Sequence, residues 1–208
     1  MTDTDYRHSL HSTSLTSWSL PAHKRADFSK LSLLLVDENN FMRRLVKQVC
    51  RSFEIQDITD VTDPRAAVAL LKVKRMDLVI CEYLMRQMSG LAFTKAVRSD
   101  DTMINREVPI IMLTGHTQVE NILAARDAGV TELLAKPLSP HALLSRLIYV
   151  FEHPRPFVQV PGYVGPSRRR RFVEWRGEDR RLSRSYDGQA LSEADFGRLL
   201  GRPDQRGA

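Results

Sequence analysis

The chain has 208 residues and a formal net charge of +6 at pH 7, enough for one ordinary domain of about 120 residues with flanking segments, or for two very small ones. Its two cysteines, Cys50 and Cys81, have no CxxC or metal-ligand spacing and fall among apolar residues, so a reduced, cytosolic protein is expected rather than a disulfide scaffold. The N-terminus has no apolar stretch of signal-peptide length, and no run approaches the ~18 apolar residues needed to span a bilayer, so neither secretion nor membrane insertion is expected.

Residues 1–29 are rich in Ser, Thr and His with scattered single apolar residues. Such a composition buries too little surface to offset its ordering entropy, so this segment reads as a flexible leader. From Leu31 the pattern changes to short apolar runs alternating with helical periods, the signature of a parallel α/β sheet. The predicted strands are Leu31 to Val36, Ile55 to Val61, Leu78 to Glu82, Val108 to Thr114 and Glu132 to Ala135, alternating with five helices. In the first helix Phe41, Met42, Leu45, Val46, Val49 and Cys50 are spaced as one apolar stripe, leaving Arg43, Arg44 and Lys47 on the solvated side. Asp63-Pro64 and Ser139-Pro140 supply an N-cap acceptor and a preset first turn for the second and fifth helices. Thr117 and Glu120 have capping-box spacing for the fourth, and Gly129 fits its left-handed stop.

Right-handed crossovers put helices on both faces of such a sheet and a site at the carboxyl ends of its strands. Polar residues collect there: Asp37 and Glu38 after the first strand, Glu82 at the end of the third, Thr114 and Gly115 at the fourth, Lys136 after the fifth. The segment MDLVICEYLMRQMSG (76–90), with the Asp37-Glu38 pair, Thr114-Gly115 and the AKP sequence at Lys136, resembles the bacterial response-regulator receiver domain over roughly residues 31–152. The resemblance implies a doubly wound, flavodoxin-like sheet of order 2-1-3-4-5 in a domain spanning 30–153, and a component of a two-component or phosphorelay system. It assigns the phospho-acceptor position to Glu82, an acidic pocket to Asp37 and Glu38, phosphoryl binding to Thr114, Gly115 and Lys136, and the aromatic switch position to Leu133. Asp37, Glu38 and Glu82 would then be the ligands of Mg²⁺, a hard cation that takes few carboxylates and several waters; the alternative is a metal-free pocket with Lys136 paired directly to carboxylates. A histidine kinase or another regulator is the implied partner, meeting the face of the fourth helix, fifth strand and fifth helix, Leu133 included.

The departures shape the expected function. Phosphoryl transfer is mostly positioning, with reacting atoms about 3–3.5 Å apart, and the family's acceptor is aspartate, one methylene shorter than Glu82. Phosphorylation is therefore disfavoured, and the longer arm carries its charge toward Thr114 and Lys136, where it imitates part of a phosphoryl group; a weaker version leaves the pocket inert. Leu133 replaces the usual Tyr or Phe, and Arg86-Gln87 the usual Pro-Gly. A pseudo-receiver acting by protein–protein contact, without enzymatic activity, is the expectation. His116 reads as a surface loop residue and Cys81 as core on the opposite sheet face from Glu82.

The tail, residues 154–208, begins within HPRPFVQVPGYVGP (153–166), which reads as an extended linker, and continues into Arg168, Arg169, Arg170 and Arg171 followed by Phe172 and Trp175. Such a tail is suited to nucleic-acid backbone, to an acidic protein or membrane surface, or to no partner as a solvated disordered extension. It contains no helix-turn-helix pattern, and a scaffold or nucleic-acid adaptor working through these arginines is one rival to the signalling reading, a working phospho-acceptor using Glu82 or an unexpected side chain the other.

Overall fold

The computed structural model describes residues 27–168. Five parallel strands, β1 (Ser32–Val36), β2 (Asp57–Val61), β3 (Leu78–Glu82), β4 (Ile110–Thr114) and β5 (Glu132–Ala135), lie in the order β2-β1-β3-β4-β5. They alternate with α1 (Asn40–Arg51), α2 (Pro64–Val73), α3 (Gly90–Ser99), α4 (Val119–Ala128) and α5 (Pro140–Glu152). The doubly wound sheet expected from the sequence is present. β2 and β4 begin two residues later than predicted, because Ile55 and Val108 donate their amides to Cys50 and Asn105 in the preceding turns instead of to a neighbouring strand.

Strand alternation sorts the core. Leu33, Leu35, Leu78, Ile80, Ile111, Leu113 and Leu134 pack with residues of α1 and α5. Leu34, Val36, Val79, Cys81 and Ile110 face α2 and α3, and Met112 and Leu133 pack beneath α4 with Tyr83. Each fully buried Leu, Ile or Val contributes about 1.5–3 kcal/mol, so the two apolar layers hold the sheet and leave its carboxyl rim for polar groups. Cys81 faces away from Glu82 as expected, and burial pushes the Cys50 thiol up to about 12 and that of Cys81 well above its ordinary value. Both are inert core groups.

Asp63 caps α2 by accepting from the Arg65 amide at 2.8 Å, and Ser139 caps α5 by accepting from Ala142 at 3.1 Å. Gly129 ends α4 with φ 94°, the left-handed conformation that glycine adopts without steric cost. The Thr117–Glu120 capping box does not form: α4 begins after Gln118, which makes no side-chain cap. Phe41 leaves the predicted apolar stripe of α1 and is 72% exposed, because Asn39 caps the helix and puts Phe41 in its first turn, beyond the reach of the sheet. The leader ends earlier than 29, since Phe28 is buried against α5 with its ring 6.0 Å from that of Phe151.

The linker expected from residue 154 onward is instead an antiparallel hairpin, β6 (Phe157–Val160) and β7 (Tyr163–Pro166). Pro161 and Gly162 form its two-residue turn, with Gly162 at φ 79°; proline presets the first corner and glycine supplies the left-handed second one. β7 lies on the C-terminal ends of α3 and α4 so closely that a Cβ on Gly165 would stand 2.9 Å from Gly129 Cα. Arg155 donates to the carbonyls of Thr131 and Ser167, tying the hairpin to the start of β5. Beneath it Arg98, 1% exposed, donates to the carbonyls of Gly129, Arg106 and Val108. No helix among the described residues is long and apolar enough to cross a membrane.

Candidate functional site

The parallel register delivers the site. β3 ends at Glu82 opposite Leu113, Thr114 follows on β4 opposite Ala135, and Lys136 comes next, its amide donating to the Thr114 carbonyl at 2.8 Å. Asp37 follows β1 with its amide on the Val61 carbonyl at 3.2 Å. Gly90 allows the close approach that positions Glu82, since a Cβ there would lie 2.3 Å from the Glu82 carbonyl oxygen.

Glu82 and Lys136 form an ion pair through Oε2 and Nζ, with Glu82 almost wholly buried and Lys136 partly so. The second oxygen, Oε1, accepts from the Leu84 amide at 3.2 Å. Asp37 lies beside them, buried, with Oδ1 accepting from the Asn39 amide at 2.7 Å and Oδ2 without a hydrogen-bond partner among the described residues. Burial raises the Asp37 pKa, the Asn39 amide works against it and the Glu82 charge adds to it; the net direction is up. Thr114 Oγ1 accepts from the His116 amide at 2.9 Å across the exposed Gly115, whose Cβ position is open space.

Of the expected set, Asp37, Glu82, Thr114 and Lys136 stand together at the rim. Glu38 turns outward, where Oε1 accepts from the Arg86 amide at 2.6 Å and Oε2 is 3.6 Å from Arg86 Nε. The Mg²⁺ set Asp37, Glu38 and Glu82 is therefore not assembled: Glu82 is turned to Lys136 and the Leu84 amide, and Glu38 faces outward with Oε1 on the Arg86 amide, away from Asp37. Among the described residues no three His, Cys, Asp or Glu side chains are grouped to hold a metal ion. The donors present do not fit the cation. Leu133 also differs from expectation, because it is 1% exposed beneath α4 and cannot itself meet a partner.

Two groups escaped the sequence reading. Arg43, taken for solvated surface, donates through Nη1 to the carbonyls of Asp37 at 2.8 Å and Glu38 at 3.2 Å, while its Nε meets Asp60 at 3.0 Å. Lys47 also pairs with Asp60, at 2.8 Å, so a β2 carboxylate holds two α1 cations and one of them fixes the acidic loop. Tyr83 is the second: it is buried beside Glu82, donates through its hydroxyl to Asn121 Oδ1 at 3.0 Å, and lies 5.9 Å from the His116 ring. An aromatic after the acidic position was the available signal. His116 is half-buried through that contact. In the tail, Arg168 lies 4.0 Å over the Tyr163 ring and 3.3 Å from Asp127; Arg169, Arg170 and Arg171 lie outside the described residues.

Comparison with known proteins adds to this geometry. Residues 33–148 match the family model of the response regulator receiver domain. Chemotaxis protein CheY-3 of Vibrio cholerae is 30% identical over 122 residues, covering 59% of this chain and 92% of that protein. Chemotaxis protein CheY of Pseudomonas aeruginosa is 26% identical over 59% of this chain and 97% of its own length. Among solved structures, Vibrio cholerae CheY4 superposes with a TM-score of 0.53 at 31% identity, covering 58% of this chain and 98% of that one. The receiver domain of a sensor histidine kinase from Pseudomonas aeruginosa, solved with a magnesium ion coordinated in its active site cleft, superposes with a TM-score of 0.51 at 27% identity over 57% of this chain and 94% of that one. With residues 33–148 matched and the sheet ordered 2-1-3-4-5, the chain belongs to the response-regulator receiver domain family of two-component systems.

Proposed function

We propose that this receiver signals through protein contact, in the cytoplasm, with its output set by a built-in ion pair and not by phosphorylation. The observation that carries the reading is the Glu82–Lys136 contact. Lys136 stands where the family's lysine neutralises phosphoryl charge, and here a carboxylate of the chain itself already occupies that ammonium. One charge and two oxygens replace nearly two charges and three oxygens, so the imitation of a modified acceptor is partial.

Each rim residue has a part in this scheme. Lys136 is drawn toward β3, Glu82 Oε1 orders the following loop through the Leu84 amide, and Thr114 remains bonded to the His116 amide. No step runs through a metal ion and no catalysis is assigned to the chain. The partner is a histidine kinase or another two-component protein meeting the face of α4, β5 and α5.

Incubation of the full chain with acetyl phosphate and Mg²⁺, followed by intact mass, tests the reading. The wild type is expected to take no phosphoryl adduct, and Glu82→Asp is expected to gain one. A wild-type adduct that disappears in Glu82→Ala overturns it.

A further inference from the structure

Position 133, where the family's coupling aromatic stands, holds a buried leucine, while an aromatic occupies the same apolar cluster from a different strand. Tyr83 and Leu133 share the space beneath α4 with Met112, Ile122, Ala125 and Val130. The backbone fixes Tyr83 on both sides: its amide donates to the Leu113 carbonyl at 2.9 Å and its carbonyl accepts from Gly90 at 2.9 Å. Its side chain therefore begins one peptide from the Glu82–Lys136 pair and ends on α4.

At that end the contact is specific. The hydroxyl donates to Asn121 Oδ1 at 3.0 Å, and Asn121 Nδ2 donates to Gln118 Oε1 at 2.8 Å, so the first turn of α4 is held through one side chain. The ring also lies 5.9 Å from that of His116, whose amide is bound to Thr114 Oγ1. Burial raises the Tyr83 pKa, which keeps the phenol a neutral donor. Tyr83 thus touches the loop carrying Thr114 and the helix of the partner face, and follows Glu82 directly in the chain.

We propose that Tyr83 is the positioning residue that transmits the state of the Glu82–Lys136 pair to α4, taking from β3 the role that position 133 on β5 no longer fills. The inference rests on the reading that output leaves through the α4 face. A change in the ion pair moves the strand end to which Tyr83 is tied, and the Tyr83–Asn121 bond passes that displacement to the first turn of α4. Residues sharing one packed network show non-additive responses, whereas independent sites add.

The test is amide hydrogen exchange across α4 in the full-length wild type, Glu82→Gln, Tyr83→Leu and the double variant, with urea unfolding confirming that each is folded. Glu82→Gln is expected to speed exchange of the Asn121–Ala125 amides by about twofold or more, the lower end of coupling between contacting residues. In the Tyr83→Leu background the same change is expected to have no further effect. Tyr83→Phe, which keeps the ring and loses the hydroxyl, should retain the packing while weakening the response. Equal Glu82→Gln effects in both backgrounds overturn the role of Tyr83, as does an α4 that ignores Glu82→Gln altogether. Neither result alters the phosphoryl-adduct test, whose failure strikes the ion-pair reading separately.

Discussion

At the carboxyl pole of the sheet the buried Asp37 carboxylate keeps one oxygen without a partner among the described residues, whereas at the amino pole the buried Arg98 guanidinium gives hydrogen bonds to three main-chain carbonyls. Burial disfavours both charges: it raises the Asp37 pKa and lowers that of Arg98 to about 9, which leaves the guanidinium protonated at neutral pH. Arg98 has been built into the fold, because its bonds to the buried Gly129 and Val108 carbonyls and the part-buried Arg106 carbonyl supply acceptors that burial would otherwise leave short of a donor. Asp37 has not. The pocket retains an electrostatic cost beside an ion pair that consumes its neighbours, while the opposite pole uses a charge as mortar.

The largest effect separating the two poles is expected from Arg98→Met. The side chain fits the space approximately, but the carbonyls of Gly129, Arg106 and Val108 lose their donor. At about 1–3 kcal/mol for each buried group left unsatisfied, a loss of roughly 3 kcal/mol or more is expected in urea unfolding. A loss below about 1 kcal/mol would show that water reaches these carbonyls and that the buried guanidinium is not structural.

Ending the chain at His153 should come next. The hairpin carries the buried Tyr163 and covers Arg98, whose guanidinium lies 5.8 Å from the Phe157 ring centroid. Its removal is expected to cost about 2 kcal/mol, the scale of one large buried side chain, and to speed amide exchange around Gly129–Thr131. Unchanged stability would return residues 154–168 to the status of a linker.

The carboxyl pole was far more legible in the sequence than the amino pole, for physical reasons. Strands covered on both faces are continuous apolar runs, so β1, β3 and β4 stand out, and a polar residue ending such a run can only be at the rim. Asp37, Glu82, Thr114 and Lys136 were located that way. The hairpin was missed because Val158, Gln159, Tyr163 and Val164 alternate too briefly around Pro161-Gly162 to separate a strand pair from an extended linker, and its packing depends on Gly129, distant in sequence. Arg43 reads as a solvated helix position, and Arg98 carries no signal at all, because a helix period does not name the carbonyl or carboxylate that another element brings. Tyr83 is hidden in the sequence because the aromatic that the resemblance implies belongs on β5.

The smallest effect has the opposite sign. The Asp37 pKa is raised above the ordinary carboxylate value of 3.8, mainly by burial. The folded state therefore holds its proton more tightly than the unfolded chain, and stability falls as pH rises from 3.8 through the folded value. Above that window the cost is complete and constant; below 3.8 it is absent. Asp37→Asn removes the ionisation while keeping a side-chain oxygen for the Asn39 amide. At pH 7 the variant should be more stable by about 1 kcal/mol, the low end of the penalty for an unsatisfied buried polar group, and the gain should shrink toward zero in unfolding curves taken near pH 3.5. A gain that persists undiminished at the acid end would mean that packing and not charge sets the cost of Asp37. The two buried charges would then differ in their surroundings alone.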